Sequence, residues 1–344
     1  MEQEAVGRRM ARPTPTTRVA ADRTIEEGPM ITVCGEALID LVDQGGGRFQ
    51  AHPGGSPANV AVGLSRLGAP VALLARVSGD AFGRLLHAHL RGNGVDPRYL
   101  AQAVEPTTLA VVSLDENGVA TYDFYVEGTA DWHWQPWELP DPLQDDVTAL
   151  HSGSLALAVE PGASMVTALL RRERKRGQVT ISIDPNIRPT FEPDRRSALE
   201  RVEEQVKLAD VVKVSADDLD WLVPGRSAME CARRWQAMGP AVVVVTLGAL
   251  GAVAVAADGI ELRRPSVPVT VIDTVGAGDA FTAGMLDAMR RVGLLGVRGR
   301  DGLRTISAEL LGRIMDEAML AAALTCGRAG ADSPTWAEVR AATG

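Results

Sequence analysis

Ala241-Val242-Val243-Val244-Val245-Thr246-Leu247 is apolar on both faces of any strand it forms. An unbroken β-branched run suits a strand buried on both sides, the condition of a parallel strand covered by helices. Working outward, similar short runs stand at residues 31–34, 71–75, 148–151, 179–183 and 211–214. Stretches with helical spacing lie among them, near residues 57–67, 80–92, 163–176, 195–207 and 227–238. Strand and helix in alternation predict an α/β chain with a doubly wound, largely parallel sheet flanked by helices.

Two stretches break the alternation. Residues 36–52 and 107–126 read as short, more polar strands with turn signals, Gln44-Gly45-Gly46-Gly47 in the first and Asp115-Glu116-Asn117-Gly118 in the second. They predict a small β-sheet standing off the main layer, as a lid would. Trp132, His133, Trp134 and Trp137 follow and are expected to pack beneath it. The run Arg171-Arg172-Glu173-Arg174-Lys175-Arg176 reads as a solvated helix end, where cations are favourable. Residues 1–29 are expected to form a disordered tail, since five arginines there are balanced by five acids and no apolar leader core is present.

Composition narrows the class. The 344 residues are 46% hydrophobic, enough for a sizeable core. With 35 basic and 44 acidic residues the net charge is −9, which lacks the basic footprint of a nucleic-acid binder. No apolar run approaches the roughly 18 residues of a membrane span. Cys34, Cys231 and Cys326 are odd in number and widely spaced, so neither a disulfide framework nor a zinc site is indicated. A reducing cytoplasm is the expected compartment.

The strongest chemical signal is Asp273-Thr274-Val275-Gly276-Ala277-Gly278-Asp279-Ala280-Phe281. It follows a β-branched run at 267–272 and precedes an apolar helical stretch at 280–289. Two glycines one residue apart permit a tight turn with exposed N–H groups at a helix start, which makes an anion site. An acid there is favoured by the helix dipole, by roughly 0.3–1 kcal/mol. A phosphoryl nest with a base beside it is what transfer to a hydroxyl requires. A simple capped turn between strand and helix reads equally well from the spacing. A dinucleotide fingerprint is disfavoured because Phe281 stands where the third glycine would be.

Other residues read in the same direction. Gly54 and Gly55 lack a Cβ, so backbone can approach a ligand closely. Ser56 suits an N-cap and Pro57 the first helical position, placing Asn59 in the first turn. Arg188 lies just past a strand end, where ligands gather in open α/β sheets.

Gly54-Gly55-Ser56-Pro57-Ala58-Asn59-Val60-Ala61, with Arg66-Leu67-Gly68 and Gly79-Asp80-Ala81-Phe82-Gly83, resembles the first signature of the ribokinase-like (PfkB) carbohydrate kinases. Asp273 through Gly284 resembles the second. Gly35-Glu36-Ala37-Leu38-Ile39-Asp40, Asp184-Pro185-Asn186-Ile187-Arg188-Pro189 and Cys326-Gly327-Arg328-Ala329-Gly330-Ala331 are most similar to the fructokinase branch. The resemblance implies a kinase domain over 30–344 that takes ATP, Mg2+ and a neutral sugar. It implies Asp279 as base beside Gly276, Ala277 and Gly278, and sugar contacts from Asp40, Gly54, Gly55 and Asn59. It implies Arg188, with Asn186 beside it, at phosphate. It places Lys213, Ser215, Thr246, Gly248 and Gly251 around ATP, and 322–326 by adenine. Ser215 and Asp218 stand where many members have Asn-x-x-Glu, so Asp218 would act on magnesium through water. A potassium-type site near Asp273 and Val275, and a homodimer through the lid, are further implications. Rival expectations are a 2-keto-3-deoxygluconate kinase or ribokinase, a silent sugar or nucleotide sensor, and a nicotinamide oxidoreductase. Residues 120–131 contain no Lys or Arg, which favours a neutral acceptor.

Overall fold

The computed structural model describes residues 28–114, 120–192 and 194–343. Of the tail expected over 1–29, residues 1–27 lie outside these, as does the expected turn at 115–118. In chain order the strands are β1 (Met30–Cys34), β2 (Leu38–Asp43), β3 (Phe49–Gly54), β4 (Val71–Ser78), β5 (Leu100–Ala103), β6 (Leu109–Leu114), β7 (Ala120–Tyr125), β8 (Val147–Gly153), β9 (Thr180–Asp184), β10 (Val211–Ser215), β11 (Val242–Thr246), β12 (Ala252–Ala256) and β13 (Ile260–Arg264). The helices are α1 (Ser56–Arg66), α2 (Ala81–Gly92), α3 (Gly162–Arg176), α4 (Arg195–Val206), α5 (Ala216–Leu222), α6 (Ala228–Gln236), α7 (Ala277–Arg291), α8 (Gly296–Arg304), α9 (Ala308–Cys326) and α10 (Trp336–Ala342).

The large sheet runs β13-β12-β11-β10-β9-β8-β1-β4-β5. Every neighbouring pair from β5 to β11 is parallel; only β12 runs against the rest, and β13, antiparallel to β12, runs with them again. The valine run sits in β11 as its composition demands. Val242 and Val244 face a core with Phe281, Leu286 and Met315, while Val243 and Val245 face Leu170, Val202 and Trp235 on the other side. All four are fully buried, a contribution of about 1.5–3 kcal/mol each. The chain starts in mid-sheet at β1, builds outward through β4 and β5, then returns to β8 on β1's other flank. That reversal opens a crevice at the carboxyl ends of the strands.

The four-stranded sheet runs β3-β2-β6-β7. It joins the main body through a small core of Leu38, Ala110, Trp132 and Leu155, with Phe124 and Phe191 packed against it.

Three sequence expectations are corrected. The run at 267–272 forms no strand, because Pro268 interrupts it and no neighbouring strand pairs with it. Trp132 and Trp134 are buried as expected, but Trp137 is 80% exposed. The cationic end of α3 is docked rather than merely solvated: Arg174 bonds Asp210, and Arg176 bonds Asp145 and the buried Glu173. The alternation of runs also did not single out α9, a nineteen-residue helix that packs along α7.

Candidate active site

Asp184, Ser215 and Thr246 end the parallel strands β9, β10 and β11 on one edge of the sheet. The N-terminus of α7 enters at that edge. Gly276 caps it at φ 76°, and a Cβ there would lie 2.6 Å from the Cβ of Ala331, so only glycine fits. Three amides open this helix, those of Ala277, Gly278 and Asp279; Ala277 N donates to Thr274 O at 3.2 Å and is turned into its own loop. Among the described residues the N–H groups of Gly278 and Asp279 have no acceptor, as the first turn of a helix leaves them. The cradle is therefore two amides, not three.

Asp279 is 8% exposed. Its Oδ1 accepts from Ser56 Oγ at 2.6 Å and its Oδ2 from Asn59 Nδ2 at 2.9 Å. Ser56 does not cap α1: Gly55 holds that place at φ 98°, and Ser56 is already helical. The two glycines thus throw the start of α1 toward α7, and its first turn grips the carboxylate. Burial pushes the Asp279 acid upward, while Ser56, Asn59 and the Lys213 ammonium pull it back.

Asp40 comes from the small sheet. A Cβ on Gly54 would lie 2.1 Å from Asp40 Oδ2, so the bare glycine makes room for the carboxylate. Asp40 is pushed up to about 6, first by burial and then by the charge of Asp279, with Arg188 opposing. Two carboxylates therefore face one space. Arg188 Nη1 donates to Asn186 Oδ1 at 2.7 Å, and to the carbonyls of Asn186 and Ile187, in a loop where Asn186 takes φ 41°.

Lys213 and Asp184 are buried together, Nζ to Oδ2 at 2.7 Å. The same ammonium lies 3.0 Å from where a Gly278 Cβ would be, so it stands against the amide cradle. Ser215 Oγ accepts from Asp218 N, and Asp218 Oδ2 accepts from Ser215 N, a reciprocal cap on α5. Asp218 Oδ1 also accepts from Ile187 N at 2.8 Å, which fixes the loop carrying Arg188. Asp273 Oδ1 and Oδ2 accept from Val275 N and Gly330 N, joining the two loops beside α7.

On the far side of Gly278 a cavity of about 410 Å³ opens, within the range of small-molecule sites. Thr246, Gly248, Gly251, Ala322, Ala323 and Cys326 line it, as the resemblance implies. Val269, Val271, Phe281 and Met319 complete the apolar wall. These four, with Ser56 and Asp184, are among the site residues the sequence reading missed. The exposed apolar residues between Pro265 and Asp273 were the available signal, since a run with no strand to pair it needs another partner.

A carboxylate beside free helix-start amides, with a cavity on one side and a second carboxylate on the other, is the arrangement of a phosphoryl-transfer enzyme. The chain belongs to the pfkB family of carbohydrate kinases, whose sequence profile matches residues 29–337. It is a phosphotransferase acting on a sugar. It is 41% identical to a fructokinase of Rhizobium leguminosarum bv. trifolii over 270 residues, 77% of this chain and 81% of the relative. The fructokinase of Xylella fastidiosa, solved with bound ATP, superposes with a TM-score of 0.83 at 28% identity, over 91% of this chain and 97% of that one. The fructokinase of Vibrio cholerae O395, in a form with fructose, ADP and calcium ion bound, gives 0.78 at 30% identity, over 92% and 99%.

Proposed function

We propose that this kinase transfers the γ-phosphoryl group of ATP to a primary hydroxyl of fructose. The observation that carries the reading is Asp279: a buried carboxylate, gripped by Ser56 and Asn59, set between the unpaired amides of α7 and Asp40. Asp279 takes the proton from the attacking hydroxyl as its oxygen bonds to the γ-phosphorus. The bond from that phosphorus to the bridging oxygen breaks, and ADP leaves with its electron pair. The N–H groups of Gly278 and Asp279 stabilise the charge on the group in flight. Lys213 and Arg188 bring cations to its oxygens, and Gly276 and Ala277 shape the turn.

Asp40 accepts from acceptor hydroxyls, and Gly54 and Gly55 let the sugar lie against backbone. The strand β7 brings Tyr122, Asp123, Phe124 and Tyr125 and no cation, which suits a neutral acceptor. Thr246, Gly248 and Gly251 border the phosphates and ribose of ATP, and the apolar wall takes adenine. The small sheet acts as a lid that excludes water and suppresses ATP hydrolysis.

Magnesium fits the residues present. Among the described residues no cluster of three His, Cys, Asp or Glu could hold a metal alone, so the ion must rely on phosphate oxygens and water. Asp184 Oδ1 is buried with no hydrogen-bond partner among the described residues, and the Asp218 acid is raised first by burial and then by the nearby Asp184 charge. Asp184 and Asp218 would hold the ion's water shell, and the ion would neutralise charge between the phosphates. A potassium ion at the paired loops of Asp273 and Gly330 is the parallel proposal, supported by a potassium-bound form of the Vibrio cholerae enzyme. Homodimerisation through the lid and a cytoplasmic location complete the reading.

The test is ADP release measured across fructose, ribose, 2-keto-3-deoxygluconate and adenosine. A clear preference for fructose is expected. Equal rates on every acceptor would overturn the fructose assignment. Tight sugar binding by calorimetry with no ADP release would make the chain a sensor.

A further inference from the structure

Four chain crossings join the small sheet to the main body: residues 35–37, 54–55, 104–108 and 126–129. Three of them meet at one carboxylate. Asp131 Oδ1 accepts from Ala37 N at 2.9 Å, at the root of β2. Its Oδ2 accepts from Thr108 Oγ1, at the root of β6. That hydroxyl also meets Thr129 Oγ1 at 2.6 Å, in the crossing that leaves β7, and Trp132 Nε1 donates to the same Thr129 oxygen at 3.0 Å. The fourth crossing packs on the first, since a Cβ on Gly55 would lie 2.7 Å from Glu36 O.

The clip is polar where apolar packing would serve stability better. Asp131 is 4% exposed and, among the described residues, has no cation in hydrogen-bond contact. The charged groups that face it are Glu36, from the first crossing, and Arg76, from the end of β4. Arg76 bonds Glu105, Glu138 and the carbonyl of Ala130 instead. Burial lifts the Asp131 acid to about 6 against the pull of its own hydrogen bonds. A group held at such a cost fixes a geometry rather than adding net stability. What it fixes is Ala37, three residues along an extended strand from Asp40, roughly 10 Å at 3.3 Å per residue.

We infer that Asp131 is a positioning residue for phosphoryl transfer: through Ala37 and Thr108 it sets the angle of the small sheet, and with it the place of Asp40 over the acceptor. The inference rests on the kinase reading of the crevice.

The experiment uses the full chain with Asp131→Asn, Thr108→Val and Thr108→Ser. For Asp131→Asn and Thr108→Val, KM for fructose should rise about tenfold, the scale of one lost buried hydrogen bond. KM for ATP should stay constant, and ATP hydrolysis without acceptor should increase severalfold. Thr108→Ser keeps the hydroxyl and should behave as the parent. A parallel rise of both KM values, or no change in either, overturns the inference. Thr108→Val leaves the Asp131–Ala37 bond in place and carries the test if Asp131→Asn fails to fold. Hydrogen exchange separates this inference from the acceptor assignment. Faster exchange over 109–113 and 121–125, with 280–289 unchanged, supports the clip even if fructose is not phosphorylated. Unchanged exchange in an active kinase refutes it.

Discussion

Asp279 sits under opposed influences. Its burial favours the protonated acid, and the donors on α1 favour the carboxylate. Asp279→Asn preserves shape and removes the proposed base, so kcat should fall by about 10²–10⁴ with little change in sugar KM. Ser56→Ala removes one donor to the charged form. The acid limb of the kcat/KM profile should therefore move to higher pH, by a steady-state series across pH, while the parent's alkaline limb stays in place. Asp40 supplies a second titration. Its acid stands at about 6, above the roughly 3.9 of an unfolded aspartate. The folded chain then binds the extra proton, and that contribution to stability is complete below about pH 4 and is lost as pH rises through about 6. Acceptor capture runs the other way, because the carboxylate is the acceptor of hydroxyl protons. Fructose KM should fall as pH rises through 6, and in Asp40→Ala the loss of Tm over that interval should shrink.

At the scale of elements, the site is made by two helix starts aimed at each other across a sheet edge. Each start needs a glycine with positive φ, Gly55 before α1 and Gly276 before α7. Gly276→Ala places a Cβ in the left-handed region and against Ala331, a cost of about 1–2 kcal/mol before any clash. The turn should yield by shifting the free amides. The expected result is a lower kcat with far-UV circular dichroism unchanged; a kcat equal to the parent's would remove the turn from catalysis. Elements also mark where sequence reading stopped. Parallel strands such as β4 and β11 are legible because both faces are apolar, and their positions match within a few residues. The run at 267–272 carries the same residue types, yet Pro268 denies it a ladder, and it became a wall of the cavity beside Gly278.

At the scale of the whole molecule, ligands that bridge the sheet edge and the small sheet should stabilise both. At about 100 times Kd a single ligand adds about 2.7 kcal/mol to unfolding. Fructose and ATP with magnesium should raise Tm together by more than either alone, read in a thermal melt. Chelation of the magnesium should remove the ATP increment and leave the fructose increment. An ATP increment that survives chelation would refute the proposed role of Asp184 and Asp218.

Local order along the chain already determined the sheet class, the positions of most parallel strands and the two glycine motifs, because backbone freedom and two-sided apolarity are properties of short segments; it did not single out β5, β12 or β13. It also marked Asp279 as a candidate, while Asp40 came only through the family resemblance. Only the tertiary structure decided that Ser56 holds Asp279 instead of capping α1, that Ala277 turns away from the anion cradle, and that Asp131 ties three crossings of the small sheet. The first and third rest on hydrogen bonds between residues brought together by packing, and a hydroxyl or carboxylate carries no mark in sequence of which distant partner it will meet; the Ala277 bond to Thr274 is local, but the turn that makes it is set by the packing of Gly276 against Ala331.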